Sequence, residues 1–85
     1  MSDDLVEHRE FPIEVDGKLD LVHVISMWHD PTFTSQEWKV GWLDKYESGG
    51  GFGHNNRYGD ATTARDRFEE LVGQATVRSD VAQPS

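Results

Sequence analysis

Hydrophobic and polar residues alternate with period two through most of the first half of the chain, then change to a helical spacing near residue 60. Phe11, Ile13 and Val15 alternate with Pro12 and Glu14, the pattern of a half-buried strand. Pro12 has no N–H to give to a ladder, so this strand is expected at a sheet edge. Asp16-Gly17 follows directly, a strong signal for a two-residue hairpin turn. The second predicted strand covers Lys18 to Trp28 and ends at Asp30-Pro31, because the residue before a proline is driven out of helical conformation. The third covers Glu37 to Tyr46. Its Trp38, Val40, Trp42 and Tyr46 point one way and Glu37, Lys39 and Lys45 the other, as in an antiparallel sheet with one wet face.

A glycine-rich stretch from Ser48 to Gly59 holds five of the chain's eight glycines, and a short fourth strand around Phe52 to Tyr58 fits its second half. Asp60 is a good N-cap for a helix over Ala61 to Val72, and Gly73 is a natural stop. Ala61, Ala64, Phe68, Leu71, Val72 and Ala75 form its apolar stripe. The expected fold is therefore α+β: an antiparallel meander of three or four strands with one C-terminal helix packed on one face. Phe68 and Leu71 should meet Leu21, Ile25, Trp38 and Val40 in the core. Residues 1–8 read as a flexible acidic N-terminus, 9–75 as the single domain, and 76–85 as a flexible tail.

The second strand carries the most informative pattern. One face has Leu19, Leu21, His23, Ile25 and Met27; the other has Asp20, Val22, Val24, Ser26 and Trp28. Both are apolar at the centre, yet one helix covers one side of a small sheet. Val22, Val24 and Trp28 then need a second cover. It could come from within: the N-terminal segment, the Pro31–Gln36 loop with Phe33, or Val77 and Val81 of the tail. It could instead be another protein chain, since such patches on small domains mark interaction surfaces.

Composition sharpens this picture. At 85 residues the chain allows one domain with a small core. Sixteen acids against eight bases give a net charge of −8, of the wrong sign for displacing phosphate counterions, so direct nucleic-acid binding is not expected. Residues 1 to 47 hold 11 acids and 4 bases, a net of −7, whereas residues 48 to 85 hold 5 and 4, a net of −1. With no cysteine, a disulfide framework, a thiol nucleophile and a Cys-ligated zinc site are excluded, and a reducing, cytoplasmic setting is expected. No apolar run reaches the roughly 18 residues of a membrane span, so no membrane association is expected.

The chemistry-bearing residues form no catalytic constellation. His8, His23, His29 and His54 make no helical pair of the zinc-protease type, so no metal is expected, and His23 among leucines reads as a hydrogen-bonded core histidine. The serines lack a nucleophile-elbow context. The glycine-rich loop 48–59 lacks the Gly-Lys-Ser/Thr of a phosphate loop, and no cofactor is implied.

Two functional readings remain. In the first, the chain is a non-enzymatic binding module, an inhibitor or regulator that occupies a basic surface of a partner protein. Val22, Val24 and Trp28 would anchor it, while Glu14, Asp16 and Asp20 would steer it; the same patch would also serve as a homodimer seam. Glu7, Glu10, Asp30, Glu37, Asp44 and Glu47 would add to the steering field. In the second, His54, Asn55, Arg57 and Tyr58 in the glycine-rich loop hold an anion or small ligand beside the helix N-terminus.

Overall fold

The computed structural model describes residues 4–82, with side chains to residue 78. It is an α+β fold. Four strands, β1 (Asp4–Val15), β2 (Lys18–His29), β3 (Trp38–Tyr46) and β4 (Gly51–Tyr58), form an antiparallel meander in sequence order, and one helix, α1 (Ala61–Ala82), packs across it.

The β1–β2 turn is the expected Asp16-Gly17 pair. Both residues take positive φ, 54° and 78°, the mirror-image turn whose twist matches that of the strands. β1 is a sheet edge, as Pro12 requires. It is longer than predicted: residues 4–8, expected to be a flexible acidic end, pair with β2 from Asp4 opposite His29 to His8 opposite Ser26. Met1 to Asp3 lie outside the described residues, as do residues 83–85 of the predicted tail. The glycine-rich stretch also forms a strand, β4, paired along its whole length with β3.

Asp60 caps α1, its carboxylate accepting hydrogen bonds from the Thr63 amide at 3.1 Å and the Thr63 hydroxyl at 2.7 Å. Ala64, Phe68, Leu71 and Ala75 form the buried stripe and meet Ile25, Met27 and Val40 of the sheet, with Trp38 packed against the cluster. Leu21 is buried on the same side. The helix does not stop at Gly73 but continues to Ala82. Gly73 lacks the positive φ of a helix-ending glycine, so nothing in its backbone terminates the element.

Candidate functional site

The register sorts side chains into two faces. Beneath α1 lie Leu21, His23, Ile25 and Met27 of β2 and Val40, Trp42 and Asp44 of β3. The opposite face shows four rows across the sheet. Leu5, Trp28, Lys39 and Arg57 make the first; His8, Ser26, Gly41 and Asn55 the second. Glu10, Val24, Leu43 and Gly53 make the third; Pro12, Val22, Lys45 and Gly51 the fourth.

No helix or strand among the described residues covers this second face. The segments that could have covered its centre from within the chain lie elsewhere, the loop carrying Phe33 meeting Arg57 at the corner of the first row. The N-terminal segment is part of the sheet, and Val77 lies exposed on α1. Val81 is in the same helix, although its side chain lies outside the described residues. Phe33 is held under the Arg57 guanidinium, 3.6 Å from its ring centroid, where Arg57 also hydrogen-bonds to Asp30 and the Gln36 carbonyl. Val22, Val24 and Trp28 therefore stay half-buried, and Leu43 and Leu5 are 41% and 46% exposed.

Glycines shape the surface. At Gly41 a Cβ would stand 2.4 Å from the Asn55 Cβ and 2.5 Å from the His54 carbonyl oxygen, so β3 and β4 approach closely only because no side chain intervenes. Bare backbone at Gly41 and Gly53 floors an open groove of about 400 Å³ between Trp28, Val24 and Leu43. Lys39 lies over the Trp28 ring, its ammonium 5.5 Å from the centroid.

Beyond Val22 a β-bulge leaves Asp20 unpaired with β1 and sets Glu14 opposite Leu19, and Asp16 is in the turn; all three acids are exposed at the hairpin end. The structure thus puts Val22, Val24 and Trp28 on one face, with Glu14, Asp16 and Asp20 exposed at the adjoining hairpin end. Two acids assigned to the steering field are instead buried and paired. Asp30, 3% exposed, accepts hydrogen bonds from Thr32 and Arg57. Asp44, 6% exposed, lies 2.5 Å from His23 Nδ1 and 3.7 Å from the Arg78 guanidinium beneath α1. His23 is the hydrogen-bonded core histidine expected. Asp44 was readable as its partner, because it continues the Trp38, Val40, Trp42 row onto the buried face.

The second candidate cluster does not converge. Strand alternation sends Asn55 and Arg57 to the open face and His54 and Tyr58 to the helix side, opposite Trp42 and Trp38. Arg57 is engaged with Asp30 and Gln36, and Tyr58 packs against the core. At the helix start the Thr63 amide is taken by Asp60. Among the described residues, no group of three or more His, Asp or Glu side chains is placed to hold a metal ion. Among the described residues no helix is long and apolar enough to cross a membrane.

Fold and face together define a small sheet-and-helix domain with one side of the sheet left open. No protein-family model matches the chain, and neither a curated protein nor a solved structure does so.

Proposed function

We propose that the chain is a non-enzymatic protein-binding module that acts by occupying another protein's surface with its open sheet face, as an inhibitor or regulator does. One observation carries this reading: Val22, Val24, Trp28 and Leu43 are grouped on a sheet face that α1 does not cover. Contiguous apolar surface of this kind favours burial against a partner, and Trp28 is the aromatic anchor. Polar groups define what the partner must present. Glu10, Glu14 and Asp20 flank the apolar strip on the β1 and hairpin side, and Lys39 and Lys45 on the β3 side. A fitting partner is apolar at its centre, basic where it meets the hairpin, and acidic where it meets β3. The open, shallow groove suits a protein side chain better than a sequestered reaction.

Photo-crosslinking in the native host tests this. A photoreactive residue at Leu43, on the open face, should give protein adducts, and one at Glu69, exposed on α1, should not. Adding Val24→Asp should abolish the Leu43 adducts. No adduct from Leu43, or adducts indifferent to Val24→Asp, would overturn the reading.

A further inference from the structure

The chain itself carries a surface of the kind its open face requires, and we infer that the occupant of that face is a second copy of this chain. The inference rests on the docking role just proposed and names its partner.

Consider two sheets face to face, related by a two-fold axis that runs parallel to the strands between them. This is the aligned packing of a β-sandwich, with the layers about 10 Å apart. The operation sets β1 over β4 and β2 over β3 of the other copy, row by row. Val24 then meets Leu43 of the partner subunit at the centre, and Trp28 meets Lys39 of the partner subunit, whose alkyl stem suits an indole face.

The flanks complement each other in size. On the open face β1 presents His8, Glu10 and Pro12, and β4 presents Asn55, Gly53 and Gly51 in the same rows. In these three rows the bulkier strand therefore lies over the one pared toward glycine, while in the first row Leu5 lies over Arg57 of the partner subunit. Ser26 likewise lies over Gly41 of the partner subunit. The flanks also complement each other in charge. Glu10 stands one row from Lys45 of the partner subunit, within reach of a long side chain, Asp20 lies at the bulge just past that end of the face, and symmetry makes each such approach twice.

The area is consistent with a reversible dimer. Four strands and eight to nine residues give a face of roughly 20 by 28 Å, about 550 Å² per copy. The total of about 1,100 Å² is near the lower limit for a specific interface, the size class of transient contacts.

Sedimentation velocity, with circular dichroism to confirm folding, tests the proposal. The wild-type chain at tens of micromolar should show a concentration-dependent species of twice the 9.7 kDa chain mass. Val24→Asp, on a solvent-facing position, should raise the dissociation constant by about 30-fold or more, the scale of a central anchor. The pair Glu10→Lys with Asp20→Lys, and the pair Lys39→Glu with Lys45→Glu, should each weaken self-association. Mixed one to one, those two variants should form a heterodimer, because each then carries the charge the other lacks. A wild-type chain that is monomeric at these concentrations would overturn the second copy as occupant, while the crosslinking from Leu43 would still decide whether another protein docks there. A dimer untouched by Val24→Asp, or no heterodimer from the mixture, would place the seam elsewhere and overturn it equally.

Discussion

At the scale of single residues, the chain uses its charges locally in two ways. Some acids serve the fold. The Thr63 hydroxyl holds the Asp60 carboxyl below the usual carboxylate range, with the Thr63 amide adding to it. Arg65, by hydrogen bonding, and Arg9 act similarly on Glu7, which ties β1 to α1. A carboxylate with a lowered folded-state pKa contributes stability that is complete above the ordinary carboxylate range and is lost as pH falls through that range and below it. Asp60→Asn keeps a capping side chain and removes the titration. The variant should therefore melt below the wild type at neutral pH by a margin that closes as pH falls past the ordinary carboxylate range. Thermal melts over a pH series would show it, and a margin constant with pH would mean the cap does not depend on ionisation. Other residues serve the surface: Glu14, Asp16 and Asp20 make no such contact and face solvent.

At the scale of elements, what could be read from sequence follows how strongly each is patterned by burial. β2 and β3 have one face packed under a helix, so their alternation is sharp, and the Asp16-Gly17 turn and the Asp60 cap have local chemistry of their own. The early part of β1 is an edge strand exposed on most positions, so Asp4 to Glu10 shows no alternation and reads as a frayed end. β4 is exposed from Gly51 to Asn56, and its glycines, which allow the close approach to β3, read as a loop. The open face was legible because Val22, Val24 and Trp28 alternate cleanly; the dispersal of His54, Asn55, Arg57 and Tyr58 was not, because it depends on the segment being a strand. Gly73 misled for a related reason: a glycine marks a helix end only when its backbone turns left-handed. In the helix interior it costs roughly 0.5–1 kcal/mol relative to alanine. A Cβ at Gly73 would meet nothing within 4 Å. Gly73→Ala should therefore stabilise the protein by about that amount, raising the melting temperature by about 2–8 °C. A helix that stopped at a left-handed Gly73 would instead be destabilised by the substitution, so the sign of the change in a melting curve decides between the two.

At the scale of the whole molecule, net charge and local charge pull in opposite directions, and salt separates them. Each chain carries −8, so two copies repel at long range even though their facing rows alternate in sign. The Debye length shrinks from about 30 Å at 0.01 M to about 8 Å at 0.15 M salt. Over that interval the repulsion between whole molecules is screened, while oppositely charged groups in contact across a partly buried seam are screened much less. Self-association should accordingly tighten as ionic strength rises toward the physiological value. A basic partner would give the reverse: Glu14, Asp16 and Asp20 would steer it in, and its association would slow with added salt. Charge reversal at Glu14 and Asp16, which take no part in the pairs proposed across the seam, would slow that encounter further, yet would favour self-association by lowering the net charge from −8 to −4. Measuring dimer affinity across that salt range, for the wild type and the reversed variant, tests the argument. If affinity falls steadily with salt in both, long-range repulsion does not govern how two copies meet, and the acidic surface is there for a basic protein instead.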